Sequence, residues 1–432
     1  MRKIFLLSLS ILVAVSIKAQ IDYSGLEKGL KFNLNEDGKN FIKPGFGTQL
    51  MFRYMQFNPG TTDFNGNPIN SDFDFAIYRT YFSITGSFNR FTYFVMPAIT
   101  AQPFTVSTNA GSSGKTSIFL YDNWLSYQII PNKLAIGGGL NMYNGISRFA
   151  SSSSAKTLGM DIPLITTPNL GTTDQSARQL SVFLTGKLGK LDYRMAIAKP
   201  FNNTFPIDNV PPTSAAIDVA NKSFSYKGYF NYQFWDQESA MMPFYPATYI
   251  GEKKIFNIGV GLDYHPNAVA CYGISHGFFP PSPTPYHKLA IGADVFLDLP
   301  LANSDAISFY SAFYYLDFGY KYLRTFGVMS TYANALNESY VGTGIAVLAQ
   351  AGYLLPFALK NGERLQVYAV AIYNDFEALE KPSLHYDMGV NFFVAGHSLK
   401  GTLEWQRRPV YDLSESKYDY KNLAVLRLQV YI

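Results

Sequence analysis

The chain ends on LAVLRLQVYI, residues 423–432, and a period of two runs through it to the last residue. Ala424, Leu426, Leu428, Val430 and Ile432 share one parity, while Arg427 and Gln429 lie on the other. That alternation is the signature of a half-buried strand. A free terminal strand exposes a row of unpaired N–H and C=O groups and invites aggregation. A closed barrel avoids this by pairing its last strand with its first. Ile432 would then face lipid. After residue 19 there is no run of about 18 apolar residues, so no membrane-spanning helix is expected. Only helices and closed barrels satisfy every backbone polar group inside a bilayer. The expected fold is all-β, a closed antiparallel transmembrane β-barrel.

Composition agrees. The chain has 35 Phe, 32 Tyr and 34 Gly against only 15% charged residues, and aromatics suit strands. The single cysteine, Cys271, allows no internal disulfide. Residues 1–19 read as a signal peptide: Arg2 and Lys3, an apolar core from Ile4 to Ile17, and Ala19 at the cut. Its removal takes Arg2, Lys3 and Lys18 from a net charge of +4, leaving +4 − 3 = +1. A nucleic-acid partner is not expected at that charge. Residues 20–42 are expected to form an N-terminal periplasmic segment, and 43–432 the barrel.

From residue 43 the chain divides into alternating segments: 44–57, 73–88, 90–100, 117–129, 133–142, 177–188, 190–199, 224–236, 253–264, 286–298, 305–316, 341–354, 363–374, 383–394, 397–408 and 420–432. About 16 strands of this length match what a tilted strand needs to cross a bilayer. Tight turns at Asn89-Arg90, at Ile130 to Asn132, at Gly189 and at Ala395-Gly396 alternate with long polar gaps: 58–72, 101–116, 143–176, 200–223, 265–285, 317–340 and 409–419. Outer-membrane barrels sort loops in this way, with short periplasmic turns and long extracellular loops. The segment 237–252 breaks the rule, being long on the side of the short turns.

The faces of single strands agree as well. In 286–298, Leu289, Ile291, Ala293, Val295 and Leu297 oppose Lys288, Asp294 and Asp298. Parity assigns ten basic residues to the inner wall: Arg53, Arg79, Lys187, Arg194, Lys227, Lys288, Arg364, Lys400, Arg408 and Arg427. The inward acids are Asp192, Asp263, Asp294, Asp298, Asp387 and Glu404. Ten against six is a mild positive excess, and fixed charge around a wet lumen sets selectivity. A weak anion preference is expected.

Several stretches resemble the phosphate-selective porin O and P family. FAIYRTYFSITGSFNRFTYFVMPAI (75–99) is similar to that family's second and third strands. LYDNWLSYQIIPNKLAIGGGLNMYNG (120–145), RQLSVFLTGKLGKLDYRMAIAKPFN (178–202) and KGLKFN (28–33) resemble its following hairpins and its N-terminal lead-in. The resemblance implies an outer-membrane channel of a Gram-negative bacterium, often a homotrimer, with an anion-lined pore. Where the family often carries several arginines, this chain has Ala76, Tyr78 and Tyr81, and only Arg79 remains. General porins fold their third loop inward. By that likeness 143–176 is the constriction, with Arg148, Lys156, Asp161 and Asp174 as its charged candidates. The terminal strand resembles the signal read by outer-membrane assembly machinery, although the usual last residue there is Phe or Trp.

Catalytic chemistry finds little purchase. A hydrolase needs a Ser–His pair with an orienting group. His385 lies on an inward parity, His397 by a turn, and His265, His276 and His287 in or beside one long loop. Their spacing of 11 residues is not that of a usual zinc motif. Gly342 and Gly344 lack any βαβ context for nucleotide binding. No metal, cofactor or enzymatic activity is expected. The sequence points to a porin that passes small hydrophilic solutes or anions, embedded in outer-membrane lipid. The alternative is a plugged barrel that binds partners through loops 265–285 and 317–340.

Overall fold

The computed structural model describes residues 29–63, 65–100, 118–174, 176–201, 215–218, 220–271, 284–326, 338–412 and 415–432. Within these, twenty strands occur in chain order: β1 (Phe32–Asn33), β2 (Phe41–Gln56), β3 (Ser71–Phe88), β4 (Phe91–Thr100), β5 (Phe119–Ile130), β6 (Leu134–Asn141), β7 (Gln179–Leu188), β8 (Leu191–Lys199), β9 (Ala215–Ile217), β10 (Ser225–Gln233), β11 (Ile255–Cys271), β12 (Thr284–Pro300), β13 (Ala306–Asp317), β14 (Leu323–Phe326), β15 (Glu338–Gly342), β16 (Gly344–Ala358), β17 (Arg364–Phe376), β18 (Ser383–Ala395), β19 (Leu399–Asp412) and β20 (Lys417–Tyr431). Sixteen of them form the barrel. The other four, β1, β9, β14 and β15, are short additions of two to five residues.

Each barrel strand pairs antiparallel with its neighbours, and the ring closes where β2 meets β20, from Gly47 opposite Tyr431 to Met55 opposite Leu423. Ile432 exchanges backbone hydrogen bonds with Phe46, at 2.8 and 3.2 Å. The terminal alternation is therefore paired to its last residue. The expected signal peptide lies outside the described residues. Of the expected periplasmic segment 20–42, β1 pairs with the start of β2, which itself begins at Phe41.

The two parities of the barrel wall are chemically distinct. Phe73, Phe75, Val182, Ile197, Val260, Met388, Leu403 and Leu428 point outward and are exposed, Phe75 at 77%. On the same strands, Arg194, Asp263, Asp387, Glu404 and Arg427 point inward and are buried. An apolar outside around a polar inside is the arrangement of a barrel in lipid. No helix among the described residues is long and apolar enough to cross a membrane.

Some boundaries differ from the sequence reading. The long gap expected at 409–419 is mostly strand, since β19 runs to Asp412 and β20 starts at Lys417. His265, expected in the loop 265–285, sits on β11, which runs to Cys271, while His287 lies on β12 as the segment 286–298 has it. One sector of the inner wall is apolar. Phe94, Met96, Trp124 and Phe183 face inward on β4, β5 and β7. Parity marks a side chain as inward but not what covers it, and here protein covers it.

Candidate functional site

Two loops enter the lumen, and they come from opposite mouths. The first, residues 142–178, joins β6 to β7 at the long-loop end. Its path begins with Gly145 and Ile146 lying against inward glycines of the wall. A Cβ at Gly292 would stand 2.1 Å from the Ile146 carbonyl oxygen, and one at Gly261 2.8 Å from its carbonyl carbon. Gly261 and Gly292 are direct partners across β11 and β12. Together they form a bare trough into which the loop backbone seats, a close approach that only glycine allows. Two residues further on, the Arg148 N–H donates to Asp294 at 2.6 Å.

The loop then crosses to the opposite wall, where SSSSAKTLGM (151–160) is fastened carbonyl by carbonyl. Gln49 donates to the oxygen of Ser154 at 3.2 Å and Gln429 to that of Ala155 at 2.9 Å. Lys400 donates to Thr157 at 3.0 Å and Asn391 to Leu158 at 2.8 Å. Arg427 reaches the Met160 oxygen and, at 3.1 Å, the Thr157 hydroxyl. The Met160 N–H donates to Glu404 at 2.7 Å. Irregular backbone away from bulk water must have its polar groups met, and the wall side chains do that here. On the way back Asp161 pairs with Arg79 at 2.7 Å and accepts from Tyr78. Burial pushes the Asp161 carboxyl up, but Arg79 outweighs it and holds it below the usual carboxylate range. Asn169 donates to Asp263 at 2.6 Å and accepts from Lys288.

The second loop is 234–254, which contains the anomalous segment 237–252. Its length has a physical reason: it folds up into the barrel and meets the first loop. Ser153 donates to the Tyr245 oxygen and Tyr245 to the Ser151 oxygen, both at 2.8 Å, and Ala247 donates to Lys156 at 2.9 Å. Arg148 forks onto Glu238 with two bonds of 2.6 Å, both groups being almost fully buried. The guanidinium also stacks over Phe296 at 3.8 Å and Tyr245 at 4.7 Å. Burial raises the Glu238 carboxyl, yet Arg148 prevails and keeps it below its ordinary range. Met242 and Phe244 pack on the apolar sector, with Phe244 edge-on to Phe94 at 5.8 Å.

The candidate residues can now be placed. Arg53 pairs with Asp74 at 2.6 Å, Arg194 with Asp192 at 3.0 Å, and Lys227 with Asp263 at 2.6 Å. Lys288 lies 3.6 Å from the same Asp263. Arg408 donates to the Gln56 oxygen at 2.9 Å. Lys187 reaches the Glu238 carbonyl. Arg364 sits at the rim of the short-turn end, donating to the Leu355 oxygen at 3.0 Å and to that of Ser304. Lys400 and Arg427 likewise bond uncharged oxygens, those of the constriction loop. Of the loop candidates, Arg148 and Asp174 are buried, Asp161 is partly so and Lys156 is exposed.

Sequence reasoning missed Glu238, Tyr245 and Phe244, and it missed the Arg178–Asp122 pair at 3.1 Å. The signal for the first three was the length of 237–252. As for the histidines, His385 lies 2.8 Å from Asp387, and His397 is 3.0 Å from the Thr248 oxygen. His276 lies outside the described residues.

Asp174 gives a pH prediction. Burial pushes its carboxyl up to about 6, against hydrogen bonds from Gly171 and Ala177. A raised folded-state value means that its contribution to stability is present below about pH 4 and is lost as pH rises through about 6. That difference is worth about 3 kcal/mol. The Asp174→Asn variant should therefore shift the thermal unfolding midpoint in detergent upward at pH 8 and leave it unmoved at pH 4.

No family model matches the chain, and no curated protein matches it. Solved structures do. Pseudomonas putida OprB aligns with a TM-score of 0.53 at 9% identity, covering 90% of this chain and 94% of that one. The outer membrane channel DcaP of Acinetobacter baumannii aligns with a TM-score of 0.50 at 12% identity, covering 94% of this chain and 99% of that one. At these identities the likeness is one of fold: a closed antiparallel barrel of sixteen strands.

Proposed function

We propose that the chain is an outer-membrane channel for the passive diffusion of small hydrophilic solutes, narrowed by two loops. The carrying observation is the closed sixteen-stranded barrel with an apolar outside and a polar inner wall. A closed antiparallel barrel of this kind belongs to the outer membrane of a Gram-negative bacterium. The short-turn end faces the periplasm and the long loops face outward. The solved structures in the alignment, one of them an outer membrane channel by description, support the reading. Assembly as a homotrimer goes with it, tested by cross-linking in native membranes.

The finer reading is a weak anion preference. Five of the ten inward cations, Arg53, Arg79, Arg194, Lys227 and Lys288, lie against a carboxylate, and we assign the anion preference to Lys400 and Arg427 among the remainder because they hold the constriction loop. Phosphate preference would rest on the same pair, because Arg79 is committed to Asp161. The test is single-channel conductance of the refolded barrel in a planar bilayer under a salt gradient. Discrete steps with a reversal potential favouring the anion support the reading, and block by millimolar phosphate supports phosphate preference. A reversal potential favouring cations refutes the anion preference.

A second reading has its own observation. The loops meet in the lumen through buried groups such as Arg148 and Glu238. A barrel closed by them would bind partners at its outer loops and pass nothing. Silence from a folded, heat-modifiable barrel would select it.

A further inference from the structure

We propose that residues 237–247 are a gate, and that their bolt to the constriction loop, Glu238 on Arg148 together with the Tyr245 backbone ladder, sets the size of solute the channel passes. This rests on the reading of the barrel as a diffusion channel. From the sequence, the long-loop side alone is expected to supply the constriction. The structure assigns half of it to a segment from the opposite mouth.

The segment is built as a body that can move. Its base is a closed neck: Phe234 donates to Phe256 at 2.9 Å and Asp236 to Lys254 at 3.0 Å. The Lys254 N–H returns a bond to the Asp236 carboxylate at 2.9 Å. Its far end is pinned to the wall, where the Thr248 hydroxyl meets Ser308 at 2.8 Å and the Tyr249 N–H donates to Asp298 at 2.9 Å. Between neck and pin lie 237–247, ending one turn before Ile250 and Gly251 at φ of 55° and 78°. A β-branched residue in the left-handed region is strained and persists only where its surroundings enforce it. Ile250 is held there by packing on Ala306, Leu354 and Phe393.

The two partners are fastened unequally. The constriction loop keeps its own wall bonds at Thr157, Leu158 and Met160 whether or not 237–247 is present. The gate depends on that loop for its central hold, through the Ser151–Ser153 ladder with Tyr245 and the Arg148 fork. Its other holds include Asn257 on Glu238 at 2.6 Å, Tyr249 on the same carboxylate, Lys187 on the Glu238 carbonyl, the Glu238 N–H on Gln233 at 3.1 Å, Arg194 on the Pro243 oxygen at 2.7 Å, Tyr245 on Asp192 at 2.9 Å, and the packing of Phe244 on Phe94. Removing the Glu238 charge leaves Arg148 without its fork partner, and an uncompensated buried charge draws in water. The gate then swings toward the periplasm while the constriction loop stays seated.

The test compares wild type, Glu238→Gln, and a Ser152→Cys/Tyr245→Cys pair in a Cys271→Ser background. Ser152 and Tyr245 form an isolated bridge between the loops, which suits a disulfide. Planar-bilayer conductance and liposome swelling with a graded series of neutral oligosaccharides are the readouts. A heat-modifiable gel band confirms a folded barrel in each case. The expected result is that Glu238→Gln and the reduced cysteine pair conduct at least about threefold more than wild type and admit larger sugars. The oxidised pair should behave as wild type. Equal conductance in the oxidised and reduced forms overturns the gate and leaves the channel reading standing. A silent wild type with a conducting Glu238→Gln refutes free diffusion through the resting barrel and upholds the gate. Silence in all forms overturns both.

Discussion

The Gly292→Val substitution is expected to expel the first turn of the constriction loop and to raise unitary conductance about twofold or more, since pore width governs flux. The reason is local. A Cβ at 292 would fall 2.1 Å from the Ile146 carbonyl oxygen, a separation no side chain tolerates. Valine suits an extended strand, and Gly292 shows no positive φ, so the ladder of β12 has no cause to fail. The clash must be relieved by the loop. Once Ile146 lifts away, the Arg148 N–H leaves Asp294, and the fork to Glu238 is dragged off its geometry. Overpacking costs about 1–3 kcal/mol, and separating a buried pair about 3–5 kcal/mol. These losses share one displacement and will not add. Gel mobility should still report a folded barrel. Unchanged conductance from that folded variant would show that the loop does not depend on the glycine trough.

Barrel and plug differ in how much of each the sequence reveals. The sixteen strands were legible because lipid on one side and polar groups on the other impose a strict period of two. LAVLRLQVYI carries that period from Leu426 to Val430, and β2 supplies the partner it needs. The plug left no periodic trace, since its residues answer to single contacts. Arg148 in the constriction loop looks like any lumen cation until Glu238, ninety positions away, is brought against it. Phe94 and Trp124 look like strand aromatics of either face until Phe244 covers them. The inward charge count was likewise incomplete. Asp74 and Asp161 neutralise Arg53 and Arg79, which parity alone had left in excess, while Asp122 and Glu238 pair with Arg178 and Arg148, which parity had not counted. Only the surplus length of 237–252 betrayed the second loop, because a strand connection needs few residues and spare chain must go somewhere.

The Lys400→Met/Arg427→Met double variant should abolish the anion preference and turn the reversal potential toward cations, with the anion-to-cation permeability ratio falling about severalfold. These two inward positions differ from the carboxylate-paired ones. Arg53, Arg79, Arg194 and Lys227 each face a carboxylate at 3.0 Å or less, so their fields are largely cancelled. Lys400 and Arg427 spend their hydrogen bonds on Thr157 and Met160 of the constriction loop, whose oxygens carry no net charge. Neither makes an ion pair among the described residues, so their charge is less fully cancelled than that of the paired cations. Methionine preserves the length of the side chains and their packing but leaves the loop carbonyls without donors, at about 1–3 kcal/mol each. The turn at 157–160 should still be held by Asn391 on Leu158 and by Glu404 on Met160, so the loop loosens without leaving. Selectivity and pore size are thereby separable: this pair should shift the reversal potential with little change in the sugar cut-off, whereas Gly292→Val should shift the cut-off with little change in the reversal potential. If both variants move both readouts together, charge and width are not set by different residues, and the assignment of anion preference to Lys400 and Arg427 is wrong.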